Sequence, residues 1–133
     1  MISRRSVLLS LSCALVSRPI MAAAKDLRVD TEVTYLVNTV ETSPCKFKRN
    51  GTWYDGAQAA AHLREKYRWM QRFGQISSAE DFIVKVATKS SASGIPYALR
   101  CPGQDDIESA AWLYRALNAF RRASARGDAG PRP

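Results

Sequence analysis

The sequence predicts a small α+β domain, in which about four helices cover a three-stranded antiparallel sheet. Four stretches repeat apolar residues at helical spacing, Asn50-Gly51 sits between two short alternating stretches, and Cys45 and Cys101 stand at the ends of predicted strands. The chain has 133 residues, 46% of them hydrophobic and 24% charged, which is the composition of one globular domain. A multidomain enzyme, a collagenous chain and a disordered chain are all excluded.

The first segment reads as a targeting signal. Arg4 and Arg5 precede an apolar run from Val7 to Val16, followed by Pro19 and the small residues Ala22-Ala23-Ala24. This order predicts a secretory signal peptide over residues 1–24, cleaved after Ala24. The run is about half the ~20 residues that a membrane-spanning helix needs, so no transmembrane span is expected. Ser3-Arg4-Arg5-Ser6-Val7-Leu8 partly matches a twin-arginine signal, but paired arginines also occur in general secretory signals, and the general route is the expected one. Ser10 stands where a lipobox ahead of Cys13 would need leucine, which argues against lipidation.

Asp26 to Glu41 predicts the first helix, with Val29, Val33, Leu36, Val37 and Val40 inward and Asp30, Glu32 and Asn38 outward. Pro44 ends it near Thr42. In 45–54 the Asn50-Gly51 turn predicts a hairpin pairing Arg49 with Thr52, Lys48 with Trp53 and Phe47 with Tyr54. Cys45, Phe47 and Tyr54 then share one sheet face, while Lys46, Lys48 and Trp53 share the other.

Asp55 and Gln58 form a capping box opening a helix from about Gly56 to Phe73, stopped by Gly74. Its core side is Ala59, Ala60, Leu63, Tyr67 and Met70, and His62, Lys66, Trp69 and Phe73 run along its flank. Ser77 and Glu80 predict another box and a third helix through about Lys89, with Phe82, Ile83, Val86 and Ala87 inward. The breaker-rich 90–96 segment is a loop, and Tyr97 to Cys101 alternates as a strand. Asp105 and Glu108 predict the cap of a fourth helix reaching Ala123, with Ala110, Leu113, Leu117 and Phe120 inward. The tail 124–133 is expected to be disordered, so the domain spans 25–123. Arg126-Gly127-Asp128 in that tail spells an adhesion tripeptide by chance.

Loss of Arg4, Arg5 and Arg18 with the signal lowers the net charge from +8 to +5, most of it at the C-terminal end. Nucleic-acid binding needs a basic stripe on the domain, so no nucleic-acid partner is expected. Arg121 and Arg122 are suited to a helix's last turn, where they favour its dipole. Cys13 also leaves, so Cys45 and Cys101 remain in an oxidising compartment and are expected to form a disulfide. That bridge would set the first and third strands side by side and antiparallel.

Several stretches occur in a characteristic order: Ser43-Pro44-Cys45-Lys46-Phe47-Lys48-Arg49-Asn50-Gly51, Ala60-Ala61-His62-Leu63-Arg64-Glu65-Lys66-Tyr67 and Ala79-Glu80-Asp81-Phe82-Ile83. Ser90-Ser91-Ala92-Ser93-Gly94-Ile95-Pro96-Tyr97 and Trp112-Leu113 complete the set. Together they make residues 26–122 resemble the YfeK-like family, small exported bacterial proteins of unknown function. The resemblance implies a periplasmic location in a Gram-negative bacterium and supplies no catalytic residue. Pro44 departs from the family pattern, which often has a second small residue there.

One histidine, two disulfide-bonded cysteines and scattered carboxylates do not make a metal shell, so no metal and no cofactor are expected. The chain is read as a non-enzymatic periplasmic binding or interaction module of the cell envelope, with an envelope protein or a glycan as partner. Its candidate binding surface is Lys48, Trp53, His62, Ser93, Tyr97 and Trp112. Trp53 beside Lys46 and Lys48 could recognise an anionic or glycan partner, unless a helix covers that face and takes Trp53 into the core. Trp112 lies off the inward stripe of its helix, as an exposed aromatic or as packing for the serine loop. The enzymatic alternative is a hydrolase in which His62 activates Ser90, Ser91 or Ser93, although no Gly-x-Ser-x-Gly elbow is present. A further alternative is an inhibitor of an envelope-degrading enzyme, because Ser93-Gly94-Ile95-Pro96-Tyr97 resembles the Ser-Gly-x-x-Tyr type loop of periplasmic lysozyme inhibitors, although those are β-barrels while this chain is mainly helical and, like lysozyme, basic.

Overall fold

The computed structural model describes residues 20–127, as an α+β domain with four helices and a four-stranded antiparallel sheet. The chain runs α1 (Ile20–Glu41), β1 (Lys46–Arg49), β2 (Thr52–Tyr54), α2 (Gly56–Arg72), α3 (Ala79–Lys85), β3 (Ala98–Arg100), β4 (Ile107–Glu108) and α4 (Ser109–Gly127). Within the sheet the order is β2-β1-β3-β4. Most of the expected signal peptide lies outside the described residues, and Ile20 to Ala24 form an exposed start to α1. No helix among the described residues is long and apolar enough to cross a membrane.

The hairpin register is the expected one, Phe47 opposite Tyr54, Lys48 opposite Trp53 and Arg49 opposite Thr52. Asn50 and Gly51 supply the two positive φ angles, 50° and 79°, that a two-residue turn between twisted strands requires. Cys45 and Cys101 form the disulfide, and β1 and β3 run antiparallel beside it, with Lys46 opposite Arg100 and Phe47 opposite Leu99. Phe47, Tyr97 and Leu99 are buried on the helix-facing side.

A fourth strand was not expected. Ile107 and Glu108 pair with Leu99 and Ala98, so the Asp105–Glu108 segment does not cap a helix. Asp106 instead binds Arg100, and α4 starts at Ser109. At its other end α4 continues past the expected boundary at Ala123 to Gly127, and the rest of the expected tail lies outside the described residues. The third helix is also shorter than expected. Its cap is Ser78, whose hydroxyl accepts from the Asp81 amide, and the chain leaves the helix after Lys85 while Val86 and Ala87 remain buried.

α1 packs against α2, α3 and α4, and its apolar stripe of Val33, Leu36, Val37 and Val40 lies in the core with Phe82, Ile83, Leu99, Leu113 and Leu117. The Asp55–Gln58 box opens α2 as expected. The junction of α1 and α2 requires glycine at position 56, where a Cβ would meet the Val40 carbonyl oxygen at 2.4 Å.

Glu32 corrects the outward assignment. It is 4% exposed, and Arg121 binds it through Nε and Nη2 at 2.9 and 2.8 Å while also binding Glu80. Arg121 therefore joins α1, α3 and α4, a larger role than favouring a helix dipole. Hydrogen bonds from Arg121 hold both carboxyls below their ordinary value of 4.5.

Two predictions follow the stability of this frame. Replacing both bridging cysteines by alanine is expected to cost ~4 kcal/mol, the chain-entropy figure for a loop of this length, measured by urea denaturation. Arg121→Met should cost about 2 kcal/mol at pH 7, less than for a fully stripped buried charge because Arg28 still reaches Glu32. Because the Glu32 and Glu80 pKa values are depressed by folding, their contribution is present above about pH 4.5 and lost as pH falls through the folded values. The gap between wild type and Arg121→Met should therefore narrow in acid; a gap that stays constant to pH 3 would contradict the ion-pair account.

Candidate functional site

The register that joins β1 to β3 continues one step beyond the strands, so Tyr97 comes opposite Arg49 on the helix-facing side. His62, on the second turn of α2, reaches both. Arg49 Nη1 lies 2.6 Å from His62 Nδ1 and 3.0 Å from Nε2, and Nε2 lies 3.2 Å from the Tyr97 hydroxyl. A guanidinium has only donors, so the imidazole must be neutral with a lone pair toward Arg49. The shorter contact assigns that lone pair to Nδ1 and the proton to Nε2, which donates it to Tyr97. The Tyr97 hydroxyl proton is then left for another acceptor.

Burial, followed by the charges of Arg49 and Lys66, holds the His62 pKa below its ordinary 6.5. Burial also raises the Tyr97 phenol and lowers the Lys66 ammonium. Lys66 donates to the carbonyls of Val86 and Lys89, and its ammonium lies 5.5 Å from the Tyr97 ring centroid. Arg49 lies 5.0 Å from the Tyr54 ring centroid and makes a long 3.5 Å contact from Nη2 to the Tyr54 hydroxyl.

Arg49, Tyr54, His62 and Tyr97 form one wall of a cavity of about 140 Å³. The remaining lining is mainly apolar: Val40, Phe47, Leu63, Ala87, Leu113 and Trp112, with Lys48, Gln58 and Ser109 as its other polar members. On their other side Arg49, His62 and Tyr97 border an open groove of about 440 Å³ with Asn50, Glu65, Lys66, Trp69, Ser90, Ser91 and Ala92. Two spaces thus meet at one polar partition.

The serine loop closes the groove through the hairpin turn. Asn50 donates to the Ser90 hydroxyl at 3.3 Å and accepts from the Ser93 hydroxyl at 2.5 Å. Ser93 is therefore a loop fastener, and the ring nitrogens of His62 face Arg49 and Tyr97 instead of a serine. The Ser–His contact that the hydrolase alternative needs is not formed among the described residues.

Of the expected surface, His62, Tyr97, Trp112 and Lys48 border the cavity. Trp112 is half-buried with its ring edge-on to Phe47 at 5.9 Å, which corrects its reading as an exposed aromatic. Trp53 is separated from this group by the sheet. No helix takes it into the core: it is 36% exposed, with the Arg100 and Lys48 cations 4.8 and 5.4 Å from its ring centroid. Arg49 and Tyr54 were the missed members. The alternation that puts Cys45 and Phe47 on the helix-facing side extends to Arg49, so the strand pattern contained the signal.

Fold and site together define a small disulfide-bonded α+β domain with a half-open apolar cavity behind a polar partition. The chain belongs to a family of unknown function, DUF5329, which it matches over residues 27–121. The matched stretch includes both cysteines and every residue of the cavity wall. No curated protein and no solved structure matches the chain.

The partition makes a direct prediction for the protein's one histidine. Its imidazole proton resonance should titrate below pH 6.5, and Arg49→Gln should move the midpoint upward by removing an adjacent positive charge. A midpoint unchanged by that substitution would show that Arg49 does not face the ring.

Proposed function

We propose that the protein is a non-enzymatic periplasmic binding module that holds a small ligand in the cavity behind Arg49, His62 and Tyr97. The carrying observation is the convergence of an apolar chamber of about 140 Å³ with three polar side chains at one wall. Ligand sites characteristically combine an apolar lining with a few placed polar groups. The periplasmic part of the reading is supported by the signal-like segment, by the Cys45–Cys101 disulfide and by the resemblance to small exported bacterial proteins.

Binding is favoured over hydrolysis by the state of His62. Its acceptor nitrogen is already engaged by a guanidinium, and its basicity is reduced by burial and neighbouring charge. A general base needs that lone pair for its nucleophile. The small cavity also favours a compact ligand over the wide surface through which an inhibitor would cover an envelope enzyme.

Benzyl alcohol, a neutral ring of suitable size, tests the chamber. Saturable amide and side-chain shifts are expected at Val40, Phe47, Leu63, Trp112 and Leu113 in a two-dimensional NMR titration. Ala87→Leu, which fills part of the chamber, should abolish them while the protein keeps a cooperative melt. Shifts that spread over the surface without saturating would refute the binding-module reading.

A further inference from the structure

We infer that the ligand is an organic carboxylate, with a compact apolar body in the chamber and its carboxylate on Arg49, Tyr97 and Tyr54. This rests on the binding-module reading and specifies its ligand.

The first argument is charge balance. Salt bridges among the described residues engage Glu32, Glu41, Glu80, Asp81 and Asp106, and none of them involves Arg49. Arg49 is nevertheless half-buried, and its side-chain contacts are neutral, His62 and Tyr54. A guanidinium withdrawn from water ordinarily meets a carboxylate or phosphate, whose two oxygens match its fork. Lys66 spends its ammonium on two backbone carbonyls, so it does not take that role. Glu65 borders the groove but is exposed and forms no ion pair with Arg49 or Lys66 among the described residues.

The second argument is the number of donors. One guanidinium neutralises one negative charge, and the Tyr97 and Tyr54 hydroxyls can each add a proton to an oxygen acceptor at the same wall. His62 is neutral and directs its Nε2 proton to Tyr97, and Lys48, which also borders the chamber, has its ammonium 5.4 Å from the Trp53 ring centroid on the outer side of the sheet, so neither adds a second positive charge at this wall. This set suits a monoanion; a phosphate dianion would enter a largely apolar chamber half-compensated.

Size and shape limit the body of the ligand. An apolar cavity of roughly 150 Å³ is known to hold benzene, so about 140 Å³ accommodates one ring or a short branched chain. Phe47, Tyr54, Tyr97 and Trp112 are among its lining residues, which suits an aromatic or branched apolar body. Such a group could belong to a free aryl or branched-chain acid, or to the last residue of a peptide whose preceding chain lies in the adjoining groove. Both sources share the same carboxylate on an apolar body.

Calorimetric titration of the full disulfide-bonded domain distinguishes them. Phenylacetate should bind about tenfold or more tightly than phenylacetamide, its neutral counterpart. Arg49→Gln should weaken the acid far more than the amide and so remove most of that difference, whereas Arg49→Lys should keep part of it. If Arg49→Gln does not fold, the acid-to-amide ratio in the wild type and its decline with salt carry the test. Acetyl-Gly-Gly-Phe is the second arm: tighter binding than phenylacetate, lost on C-terminal amidation, assigns the peptide source, and weaker or equal binding assigns the free acid. Equal binding of acid and amide, with benzyl alcohol still held by the chamber, would overturn the carboxylate and leave the binding module standing. Failure of all these probes, benzyl alcohol included, would overturn both.

Discussion

The pairing of β1 with β3, closed by the Cys45–Cys101 bridge, is the constraint on which the arrangement rests. Two helices and the serine loop lie between these strands in sequence, so the pairing must hold together segments whose own turns do not bring them close. Its register turns Cys45, Phe47, Leu99 and Tyr97 toward the helices and carries Arg49 to the same side. Slipping that register by one residue would exchange Phe47 for Lys48 in the core and take the guanidinium out of the cavity wall.

The helical side of the cavity depends on a second long-range contact. Arg121 reaches Glu32 on α1 and Glu80 at the start of α3, which sets the orientation of α4 against both. Trp112 and Leu113 line the chamber from that same helix. Burial of the Glu32 carboxylate has a desolvation cost, offset by hydrogen bonds from Arg121 and Arg28. An apolar pair could stabilise the helices as well, but it would not fix their rotation with the same directionality. We read the ion cluster as a registration device for the cavity.

The two sides of the sheet treat their cations differently. On the outer side Arg100 has Asp106 as a partner and shares the Trp53 ring with Lys48, so its charge is met by protein groups. On the inner side Arg49 has an imidazole and a phenol instead of a carboxylate. That asymmetry is why the proposed ligand site lies at the inner wall, with its space and a guanidinium that has no carboxylate partner among the described residues. It also explains the role of Asn50, which shapes the hairpin turn and fastens the serine loop over the groove beside Arg49.

Local chemistry made much of the fold legible from residue order. The Asn50-Gly51 turn determined the hairpin register, the Asp55–Gln58 box opened α2, and the two cysteines that remain beyond the expected signal peptide implied their bridge. His62 and Tyr97 were also recognisable as candidates. The errors share a physical origin. Glu32 lies beside the apolar stripe of α1 and reads as outward because it is charged, and its burial becomes tolerable chiefly through Arg121, 89 residues away, with Arg28 as a local second partner. Ile107 and Glu108 form a strand because Leu99 and Ala98 are there to pair with, and two residues have no strand signal of their own. Trp112 became a cavity wall only when Phe47 packed against it. Turns, caps and helical stripes were determined by neighbours along the chain. Which charge is buried, which aromatic is covered and which cation lacks a partner were decided by groups that meet only when the chain is folded.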